Sequence, residues 1–243
     1  MNKLKHLFTF ALFGLAQLAV AQQNKQEIQF KDFSKLNIQG IMQVEIKSGS
    51  VNKVSIEALN GANLDDVTIS QSGEELSLKT KIFKQLTDRD NNRRKYSEEK
   101  KLYKVEITYQ NSPTTIDVGR GAEVNFAEAI KGNSLKVSAS SGAILKLEVN
   151  ANNLHLSSIQ GGIVNLYGRA NYQEIKVNTG GELNAKELVS EEADVKANTG
   201  GVAHVNVTKA IDASAGTGGE ITYSGNPSRK NIHSNLGGEV RSY

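Results

Sequence analysis

The sequence predicts an all-β fold: a right-handed parallel β-helix with coils of about 19 residues and a less regular β part at its N-terminal end. Three observations lead to this fold class. Pairs of small residues recur at intervals of 18 to 21 residues, apolar and polar residues alternate on both sides of each pair, and no helical period accompanies them. Equivalent positions that recur at a constant interval are typical of stacked structural repeats.

Glycine begins each of the seven small-residue pairs, and alanine or glycine follows it. The seven corner glycines are Gly121, Gly142, Gly161, Gly180, Gly200, Gly218 and Gly237. A sharp corner favours glycine because the backbone there often needs positive φ and because neighbouring coils lie close above and below. We therefore predict that these glycines have a structural role, each turning the chain between two strands of one coil.

The residues around each glycine alternate with a period of two, which is the pattern of a half-buried strand. Five residues before successive glycines stand the members of one apolar row: Ile116, Val137, Leu156, Ile175 and Val195. Stacked coils would place these side chains over one another at the strand spacing of about 4.8 Å. Since crossover connections between parallel strands are nearly always right-handed, the predicted helix is right-handed.

Residues 26–110 alternate in the same way but do not keep the 19-residue phase. Six short segments there predict strands: 36–38, 44–46, 54–56, 67–69, 76–78 and 105–107. This half could form irregular coils or a hairpin-rich sheet. In either form it would cover one open end of the stack, which a solenoid requires.

The first 21 residues have the features of a secretory signal peptide. Lys3 and Lys5 precede an uncharged apolar stretch, residues 7–20, and the segment ends in a small-x-small cleavage pattern at residues 19–21. The stretch is short for a membrane-spanning helix, and no second run of spanning length follows. The mature chain is thus expected in the periplasm, on the outer surface or in the medium. A lipoprotein would need a cysteine, and the sequence has none.

The composition excludes several classes of function. A net charge of +3 gives no reason to expect a nucleic-acid partner. The absence of cysteine excludes disulfide scaffolds, thiolate metal sites and cysteine nucleophiles. The histidines of the mature chain, His155, His204 and His233, fall in three different outward registers, so neither a metal site nor a cofactor is predicted.

One stretch, residues 79–104, reads as a charged loop inserted between two strands. It contains ten basic and four acidic residues, and its centre has no periodic apolar pattern. Two interpretations remain open, a solvated insertion or a contact site for anionic glycans, lipopolysaccharide or an acidic partner. For the second, the candidate ligand-binding residues are Arg89, Arg93, Arg94 and Lys95.

Several motifs carry a family resemblance. Residues 33–46, the Ser-Ser-Gly-Ala at 140–143 and the Asn-Thr-Gly-Gly at 178–181 and 198–201 resemble the head GIN domain, an auto-transporter adhesin family of Bacteroidetes-type bacteria. The resemblance covers residues 33–227, and the coils continue to residue 243. It implies an exported, largely β-helical protein and supplies no catalytic residues.

Two functions from different classes are consistent with these observations. The first is a non-catalytic protein of the cell envelope or surface that binds a glycan or an envelope component. A homodimer through the C-terminal coil belongs to this hypothesis, since the edge of that coil could pair with a second copy.

The alternative function is a polysaccharide lyase or hydrolase. Glu174, Asp194 and Asp212 share one outward row, where stacked carboxylates could face a single cleft. Lys176 and Lys196 stand two residues further along and would neutralise these acids, so the outward row predicts no catalytic residue.

Overall fold

The computed structural model describes residues 24–81 and 102–243, and strands dominate both ranges. The first strands are β1 (Lys25–Gln29), β2 (Lys35–Gln39), β3 (Gln43–Ser48), β4 (Lys53–Ala58), β5 (Val67–Ser72), β6 (Glu75–Thr80), β7 (Tyr103–Tyr109), β8 (Thr115–Gly119) and β9 (Glu123–Phe126). The later strands are β10 (Ile130–Ser140), β11 (Ile144–Ile159), β12 (Ile163–Asn178), β13 (Glu182–Asn198), β14 (Val202–Gly216), β15 (Glu220–Ser224), β16 (Arg229–Ser234) and β17 (Glu239–Ser242). A 3₁₀ turn, Leu64–Asp66, precedes β5.

Parallel pairing from β8 onward stacks the chain into a β-solenoid with coils of about 19 residues, which confirms the predicted fold class. In each coil we call the segment before the glycine pair the leading side and the segment after it the trailing side. Each of the long strands β10 to β14 runs through the trailing side of one coil and continues into the leading side of the next coil. The segment 144–151 of β11, for example, belongs to the trailing side of one coil, and the segment 153–159 belongs to the leading side of the next.

The corner glycines occupy equivalent positions in successive coils. Each forms the third residue of a four-residue turn closed by a backbone hydrogen bond, as from Gly201 N–H to the Asn198 carbonyl at 3.0 Å. The residue before the glycine and the glycine itself both have positive φ, 51° at Thr199 and 71° at Gly200. Two consecutive positive φ values define a type I′ turn. The turns are also bonded to one another, because Gly200 N–H donates to the Thr217 carbonyl of the next coil at 3.2 Å.

Inward side chains form the rows that the alternation predicts. Val137 pairs with Ile116 and Leu156, and the same row continues through Ile175 and Val195. All five side chains are buried. Burial of such apolar area, at about 25 cal/mol per Å², is the main stabilisation that a solenoid without disulfides or metals can have. The core of the described residues is accordingly one continuous column of stacked apolar rows.

The N-terminal half is more regular than the sequence suggested. Strands β2 and β3 form a coil around Gly40, and this coil lies between the β6–β7 layer and the β8–β9 layer. Its place in space therefore differs from its place in the sequence. All six strand segments predicted between residues 26 and 110 are present, as β2 to β7.

Antiparallel strands cover this end of the stack. Strand β5 pairs with β6 on the leading side, and β4 pairs with β7 on the trailing side with β1 outside it. A change from parallel to antiparallel pairing ends the stack, because an antiparallel strand does not continue the coil. These strands supply the end cover that the fold requires.

A second edge joins each trailing side to the next leading side. Asparagines stack there in register: Asn152 Nδ2 donates to Asn133 Oδ1 at 2.8 Å, and Asn171 Nδ2 donates to Asn152 Oδ1 at 3.0 Å. Glu191 and Lys209 continue the column with an ion pair of 2.7 Å. Stacked side-chain amides satisfy one another's hydrogen bonds in this way along parallel strands. Within residues 24–81 and 102–243, no helix combines the length and apolar character needed to cross a bilayer.

Candidate functional site

The leading side presents a flat polar surface to solvent, which we call the ladder face. It comprises the outward side chains of residues 134–138, 153–157, 172–176, 192–196, 210–214 and 229–233. Because all six segments pair in register, equivalent side chains recur one strand apart, at about 4.8 Å. The surface is thus a set of straight rows that run along the solenoid axis.

Three outward rows make up the ladder face. The middle row contains Lys136, His155, Glu174, Asp194, Asp212 and Asn231. The row nearer the glycine corner contains Ser138, Ser157, Lys176, Lys196, Ser214 and His233. The row nearer the asparagine edge contains Ser134, Asn153, Tyr172, Glu192, Ala210 and Arg229. The strand period of two selects these residues for the surface and, in every segment except 229–233, buries those between them.

The acids of the middle row are held by neighbouring cations. Lys176 Nζ lies 2.7 Å from Glu174 Oε1, and Lys196 Nζ lies 3.3 Å from Asp194 Oδ2. The neutralisation predicted from the sequence is therefore present for both acids. Asp212 instead accepts a hydrogen bond of 2.8 Å from Asn231 Nδ2.

Glu174 has a second partner, His155, on the preceding strand. His155 Nδ1 lies 2.9 Å from Glu174 Oε2, so the two oxygens of the carboxylate are divided between a lysine and a histidine. The hydrogen bond from Lys176, followed by that from His155, lowers the pKa of Glu174. The carboxylate is consequently ionised near neutral pH. A general acid needs the opposite shift.

Tyr172 is the aromatic residue of the ladder face, and it lies half-buried beside the acids. Burial raises the pKa of its phenol first, and the charges of Asp194 and Glu174 raise it further. The side chain is therefore a neutral phenol at physiological pH. It offers both an apolar ring and a hydrogen-bonding group, a combination that suits it to wet binding surfaces.

Two shallow depressions lie on the ladder face. The first is lined by Lys136, Val137, His155, Leu156, Ser157, Glu174 and Lys176. The second is lined by Tyr172, Glu192, Ala193, Asp194, Ala210, Ile211, Asp212, Arg229, Lys230 and Asn231. Small side chains accompany them: Ser157 stands beside the longer Lys176 in its row, and Ala210 stands between Glu192 and Arg229 in its row.

The outward positions of the trailing side differ from the ladder face in character. Ile144, at 38% exposure, pairs with Ile163, and Val202 pairs with Glu182, so apolar residues interrupt the polar rows there. Tyr167 lies on this side under Lys146, whose Nζ is 5.5 Å from the ring centroid. The ladder face is thus the more continuous polar surface of the two.

The structure describes some of the site residues predicted from the sequence and not others. The seven corner glycines form one column along the edge of the solenoid, as expected of structural residues. The candidate ligand-binding residues Arg89, Arg93, Arg94 and Lys95 lie outside the described residues. The ends of the predicted insertion are ordered strand, since Lys79 lies in β6 and Lys104 in β7.

The histidines are separated as the sequence predicts. His155 lies in the middle row, His233 lies in the corner row and His204 lies on the trailing side. Burial, followed by the nearby charge of Lys186, lowers the pKa of His204. In the part of the chain that the structure describes, no three histidine or carboxylate side chains converge on a point where a metal ion could bind.

The fold and the ladder face together define a class of protein: a β-solenoid whose surface features are rows of polar side chains. The chain belongs to the family described as "putative auto-transporter adhesin, head GIN domain", whose model matches residues 32–227. No curated protein matches the chain.

Three solved structures illustrate the similarity of fold. A putative adhesin from Bacteroides fragilis NCTC 9343 has a TM-score of 0.74 at 16% identity, over 90% of this chain and 96% of that one. A putative lipid binding protein from Parabacteroides distasonis ATCC 8503 has a TM-score of 0.67 at 18% identity, over 90% and 96% of the two chains. A putative adhesin from Parabacteroides merdae ATCC 43184 has a TM-score of 0.64 at 17% identity, over 90% and 95%. At these identities the likeness concerns the fold. The family and two of these neighbours are described as adhesins, which is consistent with a surface binding module.

Proposed function

We propose that the protein is an exported, non-catalytic binding module of the cell envelope or surface, and that its ladder face binds a polysaccharide. The observation that carries the proposal is the register of that face: six strand segments repeat three polar rows at one constant spacing. A ligand that itself repeats can meet the same kind of side chain at each step. Many weak contacts then add to a useful affinity without a deep pocket.

The chemistry of the face supports a sugar polymer. Its donors and acceptors are hydroxyls, amides, carboxylates and ammonium groups, which match the hydroxyl-rich surface of a glycan. Tyr172 adds one ring against which a sugar could pack. Seven tyrosines, seven phenylalanines and no tryptophan in the whole chain leave little for an aromatic platform, so hydrogen bonding carries most of the proposed recognition.

Export is part of the proposal. The charged start, the apolar stretch and the cleavage pattern within residues 1–21 support it, and these residues lie outside the described ranges. The absence of cysteine supports a mature protein that carries no lipid anchor of the lipoprotein type. The protein would then work in the periplasm, on the outer surface or in the medium, where an adhesin meets its ligand.

The non-catalytic role is proposed on the state of the acids. If the protein were a glycosidase, its catalytic acids would come from the row that contains Glu174, Asp194 and Asp212. The first two of these acids are paired with lysines. The pKa of Glu174 is lowered, whereas a general acid that protonates a leaving group needs a raised one. Incubating the protein with each glycan that it binds should therefore yield no shortened product.

A binding screen with matched tyrosine variants tests the proposal. The wild-type protein is screened on a glycan array and on whole cells, with and without residues 86–99. Tyr172→Ala and Tyr167→Ala are then compared on the glycans that bind, because both tyrosines belong to β12 but face outward on different sides. We expect Tyr172→Ala to weaken binding about tenfold, which corresponds to about 1.4 kcal/mol.

The control in this experiment is Tyr167→Ala, which should bind as the wild type does. Equal affinities for all three proteins would contradict the ladder face as the binding surface. A complete loss of binding on removal of residues 86–99 would instead assign recognition to the charged insertion, where Arg89, Arg93, Arg94 and Lys95 stand.

A further inference from the structure

The first depression of the ladder face has a specific electrostatic character. Two lysines, Lys136 and Lys176, line it together with His155, and Glu174 is the one carboxylate among its lining residues. Without a charge on the histidine, the lining is therefore net positive by one. The second depression differs, since Glu192, Asp194 and Asp212 face Arg229 and Lys230 there and the lining is net negative by one.

Glu174 orders two nitrogen-bearing side chains at the first depression. One of its oxygens accepts from Lys176 Nζ at 2.7 Å, and the other lies 2.9 Å from His155 Nδ1. A carboxylate next to Nδ1 favours the proton on that nitrogen and fixes the ring plane. Lys176 and His155 are thus held on either side of Glu174, which makes Glu174 a positioning residue for both.

The second lysine of the depression, Lys136, comes from the neighbouring strand β10. Lys136 pairs in register with His155 and lies two residues from Ser138 along β10. Asp117, the partner of Ser138 on β8, is an acid on that side, and the charge of Lys136 lowers the pKa of Asp117 against the dominant effect of burial. Ser157 adds a hydroxyl from the row nearer the corner. Ammonium and hydroxyl donors from three neighbouring strands, β10 to β12, therefore line this depression.

We propose that this depression binds the anionic group of an acidic polysaccharide, a carboxylate or a sulfate. Lys136 and Lys176 supply charge-assisted hydrogen bonds, which are stronger than those between neutral groups. The acidic second depression repels a further anion and accepts hydrogen bonds from sugar hydroxyls. A chain with charged and neutral units would consequently bind in one direction along the rows. This inference rests on the proposed function and names its ligand class.

Matched lysine variants test the inference at about 0.15 M salt, where unspecific attraction is screened. Polygalacturonate carries carboxylates, dextran sulfate carries sulfates, and dextran is the neutral reference. The doubly substituted Lys136→Ala/Lys176→Ala protein is compared with Lys146→Ala/Lys186→Ala, which removes the same charge from outward positions of the trailing side. We expect the first pair to lose at least about tenfold in affinity for an acidic polymer and the second to change little. The polymer that the wild type prefers, polygalacturonate or dextran sulfate, distinguishes a carboxylate from a sulfate.

Three outcomes would overturn the inference. Equal losses in the two lysine pairs would mean that total charge alone attracts the polymer. A loss confined to Arg93→Ala/Arg94→Ala would place the anion on the charged insertion. Dextran bound as tightly as the acidic polymers would show that binding needs no anionic group.

The proposed function is tested separately by Tyr172→Ala. If this variant binds dextran more weakly than the wild type does, the ladder face remains the proposed binding surface even where the anion site is wrong. The proposed function itself fails if Tyr172→Ala binds all three polymers as the wild type does. Circular dichroism of each variant checks that the fold is retained.

Discussion

In the five corners that carry two glycines, the two residues are selected for different reasons. At Gly200, φ is 71° and a Cβ would meet no atom within 4 Å, so the backbone conformation alone selects glycine. At Gly201 a Cβ would lie 2.4 Å from the Val177 carbonyl oxygen of the preceding coil. Close stacking of coils therefore selects the second glycine. Both reasons expected from the sequence are present, but they apply to different residues.

This division predicts unequal costs for two neighbouring substitutions. Gly200→Ala forces alanine into the left-handed region, at about 1 kcal/mol. Gly201→Ala must push two coils apart and should cost about 3 kcal/mol, in the range of severe overpacking. Thermal unfolding followed by circular dichroism compares the two variants with the wild type. A larger loss of melting temperature for Gly200→Ala than for Gly201→Ala would show that coil contact does not select the second glycine.

Some residue-level features could not be predicted from the sequence. Positive φ occurs at Thr179, Thr199 and Thr217. Because β-branched residues disfavour that region, a threonine in the sequence gives no indication of positive φ. Gln173 is fully buried in the row of Leu154 and has no hydrogen-bond partner among the described residues. A polar residue in a strand normally indicates the surface, which is why its inward position was hidden. The apolar rows, by contrast, follow directly from the period of two.

At the scale of strands, the sequence predicted their existence better than their order. The six N-terminal strands were identified from alternation, but nothing in their sequences specifies that β2 and β3 lie between later layers. Hydrogen bonding between strands uses the backbone and is insensitive to side-chain identity. The ladder face was predictable only in part. The acids recur in one register and their lysines recur two residues further along, whereas the depressions depend on packing around Ser157 and Ala210.

Strand β16 shows how the last described leading side is protected. Lys230 occupies the inward register of Ile211, and its Nζ lies 5.9 Å from the centroid of the Tyr223 ring. An inward-pointing lysine is a known device against edge-to-edge pairing. Ile232, Leu236 and Tyr243 favour association instead, because they are exposed at 39%, 81% and 68%. The homodimer predicted through this coil would use the same edge.

Replacing this lysine should strengthen self-association. In Lys230→Ile an apolar side chain extends the inward row and removes the charge from the edge, so we expect light scattering to show a dimer at lower protein concentration than for the wild type. Lys209→Ile makes the same change at the asparagine edge, where Lys209 pairs with Glu191, and serves as the control. An unchanged mass, or the same increase in both variants, would argue against pairing through β16. Deletion of residues 232–243 should leave a monomer.

At the scale of the whole molecule, the solenoid separates stability from recognition. Stacked apolar rows and bonded corners hold the coils together, and the outward rows of the ladder face remain free to carry charge and hydroxyls. Substitutions on that face can therefore alter binding with little effect on folding. The stacked coils follow from the repeat, but the ligand depends on side chains that the repeat does not constrain.

Cysteine labelling locates the binding surface most directly, because the chain contains no cysteine of its own. Ser157→Cys and Ser214→Cys place a thiol on the ladder face, and Asn165→Cys places one at an outward position of the trailing side. The rate of reaction with a maleimide is measured for each, with and without the polysaccharide that binds most tightly in the screen. The account predicts that the polysaccharide slows labelling several-fold at residues 157 and 214 and leaves residue 165 unchanged. Protection at residue 165, or none at 157 and 214, would contradict it.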